Sequence, residues 1–230
     1  MIVFMSDQND GQIIPIWKPI GPTSHDMINK VRKITGIKKV GHAGTLDPLA
    51  EGVLVVGIGR SATRKLASIV AKEKEYLAYI KLGATTDTYD REGKLSPCSI
   101  TTKPSIEDVT RVLNESFTGQ IKQIPPPFSA IKVKGKPAYL KARKGEKLAL
   151  KPRDALIKNI EIINFKWPDL TLRVITGPGV YIRSLAYDLG EELQTGGYLH
   201  GLKRIRVGQY TENMAIEIKD LPGLLKKTNK

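Results

Sequence analysis

Hydrophobic and polar positions along the chain fall into segments with strand-like or helix-like spacing. The apolar run at residues 13–17 predicts a short strand. A helix is predicted next, because Thr23 and Ser24 offer an N-cap and Gly36 offers a stop. Its inward face would carry four apolar residues at helical spacing: Met27, Ile28, Val31 and Ile34. An apolar run rich in β-branched residues, Val53–Val56, then predicts a buried strand.

The rest of the chain also mixes helical and strand-like segments. Helices are predicted at about 61–71, from Ser105 to about Phe117 and at about 180–193, and strands at 74–82, 155–165, 170–176 and 202–210. Because there is no strict strand–helix–strand order, we expect an α+β fold with a mixed sheet. No convincing linker divides the sequence, so the 230 residues are interpreted as one domain. The stretch from about 125 to 152, which begins with three prolines, is the best candidate for an extension.

The charge of the chain is unevenly distributed. There are 37 Lys and Arg against 23 Asp and Glu, a net charge of +14. Residues 131–158, the basic strip, contain ten basic residues and two acids and so carry +8 of that total. Such a strip is typical of a surface that binds a polyanion such as nucleic acid. A solvated lysine-rich face is the alternative, whereas a membrane surface is disfavoured because no strongly amphipathic helix accompanies the strip.

Composition disfavours several other classes of protein. No apolar run approaches the roughly 20 residues that span a bilayer, and the first residues lack the pattern of a signal peptide. One cysteine, Cys98, and three scattered histidines give neither a disulfide framework nor zinc-ligand spacing. The GIG of residues 57–59 is too short for a dinucleotide fingerprint. We therefore expect a cytoplasmic protein with no metal, no organic cofactor and no membrane partner.

The stretch GHAGTLDPLAEGVLVV, residues 41–56, joins a glycine-punctuated loop to the predicted buried strand. Pro48 restricts the backbone of Asp47, because a residue before proline is held in an extended conformation. Gly44 and Gly52 permit unusual dihedral angles or the close approach of another backbone. A carboxylate held at such a junction suits nucleophilic attack, which depends on accurate positioning. An ordinary Asp-Pro turn is the alternative interpretation of the dipeptide.

This stretch resembles the signature of the TruB family of pseudouridine synthases, in which the Asp of G-x-L-D-P is the nucleophile. Six further segments resemble motifs of the same family and occur in the same order. They are KPIGPTS (18–24), KEY (74–76), LG with TDT (82–88), IP through SAIK (124–132), GVYIRS with DLG (179–190) and LKR with a later Gly (202–208). The resemblance therefore covers about residues 18–210. It implies a mostly antiparallel central sheet flanked by helices, with a thumb-like extension at about 125–152 that contains most of the basic strip.

A member of this family would be an isomerase that converts a uridine in RNA to pseudouridine. In bacterial-type members the target is uridine-55 in the TΨC loop of tRNA. The N1–C1′ bond breaks, the uracil turns, and C5 bonds to C1′, so the reaction needs no cofactor. The carboxylate can attack ribose C1′ or uracil C6, or help to remove a sugar proton, and the sequence leaves these routes open. The expected partner is the TΨC arm of tRNA, and we expect a monomer.

The resemblance implies three catalytic residues. Asp47 would be the ionised nucleophile, and Arg183 would pair with it and orient it. Tyr76 would stack on the extruded uracil and could help to remove the C5 proton, although a phenol with an ordinary pKa of about 10 is a weak base at neutral pH. Without the family pattern, Arg183 would be interpreted as a helix-surface cation and Tyr76 as a core aromatic.

Further substrate contacts follow from the same resemblance. His42 would occupy the space that the flipped base leaves; flipping costs a few kcal/mol, and a stacking aromatic contributes roughly 1–3 kcal/mol. Tyr181 and Leu202 would shape the uracil pocket. The other predicted substrate-binding residues are Gly44, Thr45, Lys74, Lys132 and Arg204. Phosphate contacts are also expected from other residues of the thumb: Lys134, Lys136, Lys141, Arg143 and Lys144.

Two alternatives to a tRNA-specific enzyme stay open at this point. One is an RNA-guided synthase within a ribonucleoprotein, although such members carry additional RNA-binding and protein-docking parts. The other is a catalytically silent RNA-binding module, which would not need Asp47, Tyr76 and Arg183. Members of the family commonly continue into a small C-terminal RNA-binding domain. We expect none here, because only 22 residues follow Gly208.

Overall fold

The computed structural model describes residues 11–129, 131–133, 135–142, 146 and 149–223. For residues 132, 133, 136, 137 and 139 it describes the backbone alone. The described residues form two compact units. The first unit contains residues up to Tyr76 and from Lys203 onward, and the second runs from Leu77 to Leu202. Strands β4 (Lys74–Leu82) and β12 (Gly197–Val207) contribute residues to both units.

The first unit combines antiparallel strands with two helices. Besides parts of β4 and β12, its elements are β1 (Gln12–Lys18), α1 (Ser24–Thr35), β2 (Val40–His42), β3 (Ala50–Ile58), α2 (Arg60–Val70), β13 (Tyr210–Thr211) and a 3₁₀ turn (Glu212–Met214). Both β1 and β2 pair with β3 in antiparallel register. Strand β13 pairs antiparallel with the end of β12.

Strand β3 is buried on both faces, because apolar residues occupy both sets of alternating positions. Leu54 and Val56 belong to a hydrophobic cluster that also contains residues of β1 and α1. Val53 and Val55 belong to a second cluster, which includes Leu66 of α2. Each such side chain contributes roughly 1.5–3 kcal/mol on full burial. The loop before β3 therefore leads directly into a rigid strand.

Helix α1 begins and ends close to where the sequence predicts. The Thr23 hydroxyl accepts a hydrogen bond from the Asp26 N–H at 3.0 Å, and the Asp26 carboxylate accepts one from the Thr23 N–H at 2.9 Å. Gly36, with φ of 72°, ends the helix in the left-handed conformation. Ser24, which we grouped with the N-cap, is the first helical residue, so its hydroxyl is available to another part of the fold.

The second unit contains a further antiparallel sheet region and helix α5. Its elements, besides parts of β4 and β12, are β5 (Ala84–Thr86), β6 (Leu95–Pro97), α3 (Ile106–Val112), a π-helical turn (Leu113–Phe117), β7 (Gly119–Gln123), β8 (Lys132–Val133), β9 (Lys136–Pro137), α4 (Ala138–Ala142), β10 (Arg153–Lys166), β11 (Asp169–Thr176) and α5 (Ile182–Glu192). Strand β10 pairs antiparallel with both β7 and β11. Strands β5 and β6 form a separate ribbon, as do β8 and β9.

The expected α+β class with a mainly antiparallel sheet is confirmed. The predicted strand at 74–82 is β4, and the alternate residues Tyr76, Ala78, Ile80 and Leu82, which share one face, are buried. The ribbon of β5 and β6 and strand β7 were not predicted from the sequence. Strand β12 begins at Gly197 rather than near Leu202, because pairing within the sheet overrides the low strand propensity of its glycines. The single-domain interpretation stays a prediction.

The basic strip is described only in part. Its described segments form the β8–β9 ribbon, helix α4 and the start of β10. Three predicted phosphate contacts, Lys134, Arg143 and Lys144, lie outside the described residues. Within the part of the chain that the structure describes, no helix is long and apolar enough to cross a membrane.

Candidate active site

The loop at residues 43–49, between β2 and β3, carries Asp47 in a half-buried position. Three sets of contacts within the first unit fix its backbone. The Ala50 N–H donates to the Asp47 carbonyl at 3.1 Å, and the Gly21 N–H donates to the Pro48 carbonyl at 2.9 Å. The Ser24 hydroxyl donates to the Leu46 carbonyl at 3.0 Å and accepts from the Leu46 N–H at 2.8 Å. The backbone on either side of Asp47 is therefore tied to residues 21–24.

Lys18 supports the end of the same loop from within the protein. Its side chain is fully buried, and its Nζ donates to the carbonyls of Ala50 at 2.6 Å and Pro19 at 3.0 Å. Burying an ammonium group is costly unless it is hydrogen-bonded, so these contacts serve both the lysine and the loop. The KPIGPTS stretch, quoted above only as a resemblance, thus has a local physical role in holding the loop of Asp47.

Arg204 on β12 is fully buried and holds the loop from another side. Its Nε donates to the Val53 carbonyl at 2.8 Å, and its Nη2 donates to the Gly44 carbonyl at 3.1 Å. A longer contact of 3.4 Å joins Nη1 to the Thr45 carbonyl. Gly52 is required beside it, because a Cβ there would overlap the Arg204 backbone and φ is 118°. The structure therefore gives Arg204 bonds to the loop, whereas the resemblance implied contact with the substrate.

Arg204 also links the two predicted catalytic residues of this unit. Burial lowers the pKa of its guanidinium, while the Tyr76 hydroxyl and the Asp47 carboxylate act in the opposite direction. Tyr76 itself is buried on β4, with 7% of its surface exposed. The fold thus places the candidate nucleophile, Asp47, and the candidate stacking residue, Tyr76, near the fixed guanidinium of Arg204.

Burial, together with the charge of Arg204, also lowers the pKa values of Lys74 and His42. Burial, and then the charge of Arg204, lower the pKa of Lys74 to about 8. The Lys74 Nζ donates to the carbonyls of Val70 and Lys72, so it caps the end of α2. Burial and the charge of Arg204 likewise lower the pKa of His42. A neutral imidazole at neutral pH favours the predicted stacking role over a phosphate contact.

In the second unit, Arg183 forms a buried ion pair with Asp90. The Arg183 Nη1 lies 3.4 Å from the Asp90 Oδ2, and only 6% and 4% of the two side chains are exposed. Nη1 also donates to the Thr88 carbonyl at 3.3 Å and Nη2 to the Phe128 carbonyl at 3.0 Å. Arg183 is therefore a buried, organised cation rather than a helix-surface one. Its predicted pairing with Asp47 stays a prediction.

The start of α5 is fixed to the segment that precedes the three prolines. The Tyr181 N–H donates to the Gln123 Oε1 at 2.8 Å, and the Gln123 Nε2 donates to the Tyr181 carbonyl at 3.0 Å. The Ser184 hydroxyl donates to the Ile124 carbonyl at 2.7 Å, directly before the three prolines. Tyr181 is half-buried, and Leu202 has 9% of its surface exposed. The side chain of Lys132 lies outside the described residues.

Sequence reasoning missed three residues that organise these positions. Lys18 and Ser24 lie in a motif that was given no role at the site, and Asp90 lies just beyond the quoted TDT. The signal for Asp90 was an acid following a polar turn, which is common in any loop. Among the described residues, no group of three or more His, Cys, Asp or Glu side chains is placed to hold a metal ion.

Two family models match the chain in succession. The model for the N-terminal domain of TruB family pseudouridylate synthases matches residues 32–182, and that for the C-terminal domain of tRNA pseudouridylate synthase B matches residues 183–230. The fold and the candidate site define a pseudouridine synthase, an isomerase that converts uridine in RNA to pseudouridine. More particularly, the chain belongs to the TruB family.

Curated relatives are similar over nearly the whole chain. A protein of Thermobifida fusca named tRNA pseudouridine synthase B is 44% identical, with 92% of this chain and 74% of the relative covered. A protein of the same name from Parabacteroides distasonis is 41% identical, and the match covers 94% of each chain. The second match therefore spans a relative of nearly the same length.

Solved structures share the fold at lower identity. A chain in a Cbf5-Nop10-Gar1 complex is 29% identical with a TM-score of 0.72, and 94% of this chain is covered. A chain in an H/ACA RNP bound to a substrate RNA containing 2′-deoxyuridine is 27% identical with a TM-score of 0.68. This chain spans about half the length of both, with 54% and 52% covered.

Proposed function

We propose that this protein isomerises uridine-55 in the TΨC loop of tRNA to pseudouridine, with Asp47 as the nucleophile. The observation that carries the proposal is the fixed loop of Asp47, held through Leu46 by Ser24, through Ala50 by Lys18 and through Gly44 by Arg204. A module that only binds RNA would not require an acid on a loop whose backbone is held this firmly. Relatives named tRNA pseudouridine synthase B support tRNA as the substrate.

Each remaining residue has a proposed part in the reaction. As the resemblance implies, Arg183 would pair with Asp47 in the substrate complex, while its buried bond to Asp90 would hold the guanidinium in place. Tyr76 would stack on the extruded uracil, and Tyr181 and Leu202 would complete the pocket. His42, held neutral, would stack where the base leaves. Residues of the basic strip, Lys132 among them, would contact phosphates and position the RNA.

We further propose that a single chain acts as a monomer on the TΨC arm, in the cytoplasm. Light scattering of the protein mixed with tRNA tests this proposal. A complex of one chain with one tRNA is expected, and two chains per tRNA would contradict it.

The substrate is tested with an unmodified tRNA transcript that contains neither a guide RNA nor partner proteins. Pseudouridine is mapped by carbodiimide modification and the resulting stops of reverse transcription, and a transcript with cytidine at position 55 is the control. Modification at position 55 alone is expected, and none in the control. The RNA-guided alternative is favoured by the likeness to the H/ACA structure. It would replace the proposal if modification required added guide RNA and partner proteins.

A further inference from the structure

A second concentration of positive charge lies in the first unit, outside the basic strip. From Met27 to Leu46 the sequence contains no Asp or Glu and five basic residues: Lys30, Arg32, Lys33, Lys38 and Lys39. Basic residues in the last turn of a helix commonly complement the partial negative charge of its carbonyls. That explains Arg32 and Lys33 of α1, but Lys38 and Lys39 follow the helix.

A pocket opens within this basic segment. It has a volume of about 250 Å³ and is lined by Arg32, Gly36, Ile37 and Lys38. Gly36 ends α1 with φ of 72°, and this turn brings Lys38 back to the same pocket as Arg32. A water molecule takes up about 30 Å³ of liquid, so the pocket has room for a group of several heavy atoms.

The guanidinium of Arg32 is fixed in this pocket by uncharged partners. Its Nη1 donates to the Asn29 Oδ1 at 3.0 Å, and its Nη2 donates to the Val40 carbonyl at 3.2 Å. Its Nε–H is buried and has no hydrogen-bond partner in the described structure. Leaving a buried donor without a partner is unfavourable. Arg32 is therefore held in place with its charge not neutralised by these bonds, an arrangement that suits an anion.

We propose that Arg32 and Lys38 form a phosphate-binding subsite for the backbone of the RNA substrate. This inference rests on the proposed function, which makes RNA the substrate. Lys38 precedes His42 by four residues, so their Cα atoms lie within roughly 14 Å of each other. The bound phosphate therefore belongs to a nucleotide near the one whose base flips. A planar guanidinium and an ammonium together suit a phosphate, and such a contact sets the register of the RNA without reading its sequence.

Ethylation interference tests the subsite at the level of single phosphates. The parent protein carries Asp47→Asn, so that a tRNA transcript is bound without turnover. Ethylation of one phosphate near the target uridine is expected to weaken binding to the parent. Arg32→Gln and Lys38→Gln should each lose sensitivity at that phosphate and keep it elsewhere. Lys30→Gln, which removes the same charge from an exposed position of α1 outside the pocket, should keep the whole pattern.

The salt dependence of binding gives a second readout. The slope of log Kd against log salt concentration should fall in magnitude by about 0.7 to 0.9 for Arg32→Gln and for Lys38→Gln, and less for Lys30→Gln. Equal losses in all three variants, with an unchanged interference pattern, would overturn the subsite and leave a diffuse basic surface. Lys38 is exposed, so its variant keeps the test valid if circular dichroism shows Arg32→Gln to be misfolded.

These readouts measure binding rather than isomerisation. If the active protein forms no pseudouridine in tRNA, the proposed function fails, and the interference pattern still decides whether Arg32 and Lys38 hold a phosphate. If pseudouridine forms but the pattern is the same in all variants, the subsite alone fails.

Discussion

The hydroxyl of Ser24 bonds to both backbone polar groups of Leu46, the residue before Asp47. It donates to the Leu46 carbonyl at 3.0 Å and accepts from the Leu46 N–H at 2.8 Å. The first residue of α1 therefore closes the loop that carries the nucleophile candidate. The backbone position of Asp47 depends on a residue more than twenty positions earlier in the chain.

Ser24→Ala should impair both stability and catalysis. It leaves the buried polar groups of Leu46 unpaired, which costs about 1–3 kcal/mol each, and misplacing Asp47 by about 1 Å can cost about 10²-fold in rate. Thermal unfolding and kcat measure the two effects. Ser68→Ala is the control, because that hydroxyl donates to the Lys65 carbonyl on an exposed face of α2. A lower Tm with an unchanged kcat would limit Ser24 to folding stability.

Gly52→Ala should destabilise the protein more than Gly21→Ala does. Both glycines have positive φ, 118° and 108°, so each substitution strains the backbone by about 1–2 kcal/mol. A Cβ at Gly52 would also overlap the Arg204 backbone, whereas one at Gly21 would meet nothing within 4 Å. Comparing the Tm of the two variants separates strain from overlap. Equal losses would contradict the close packing of β3 against Arg204.

Arg204→Lys should lower kcat by about 10²-fold and leave KM for tRNA nearly unchanged. Lysine keeps the charge but cannot reproduce the separate N–H bonds to Val53 and Gly44 that hold the loop. Arg206→Lys is the matched control on the same strand, because Arg206 pairs with Glu75 instead. An increased KM with an unchanged kcat would show that Arg204 contacts the RNA, as the resemblance implied.

The predictability of this site differs between its residues. The strand after Asp47 was predictable, because a β-branched run reports burial directly. The role of Ser24 was not, since a serine beside an N-cap residue is expected to cap its own helix, and only the tertiary structure shows its bond to Leu46. Arg204 illustrates the same limit. From the sequence alone a charged residue is expected to be exposed, because the carbonyls that accept its hydrogen bonds when it is buried are not known.

The partner of Arg183 was also beyond the reach of sequence reasoning. The bond to Asp90 joins residues that are 93 positions apart. No helix or strand periodicity relates residues so far apart, and several other Asp and Glu residues could equally have been the partner of Arg183. Helix caps at Thr23 and Gly36, by contrast, depend on neighbours within four residues, and both were predicted.

Asp188→Asn should stabilise the protein at neutral pH. Burial, and then the nearby Glu191, raise the pKa of the Asp188 carboxyl from 3.8 to about 6. Between these two pKa values the native state keeps a proton on Asp188 that the unfolded state releases. The free energy of unfolding therefore falls as the pH rises, and this loss of stability is complete above about pH 6. Tm should therefore rise at pH 7.5 and match the wild type near pH 4.

A matched variant checks the cause of this pH dependence. Glu191→Gln removes the second contribution and leaves the burial of Asp188 unchanged, so it should give a smaller gain in Tm over the same pH range. A gain from Asp188→Asn of equal size at both pH values would show that the charge of Asp188 is not responsible.

Release of tritium from the uracil C5 of an unmodified tRNA transcript tests the role of Asp47 most directly, because the isomerisation must expel the C5 hydrogen. The wild-type protein and Asp47→Asn are compared at equal RNA occupancy. We predict release by the wild type and none above background by the variant, with both proteins binding the tRNA. Release by Asp47→Asn at the wild-type rate would contradict Asp47 as the nucleophile, and no release by RNA-bound wild type would contradict isomerisation of this tRNA.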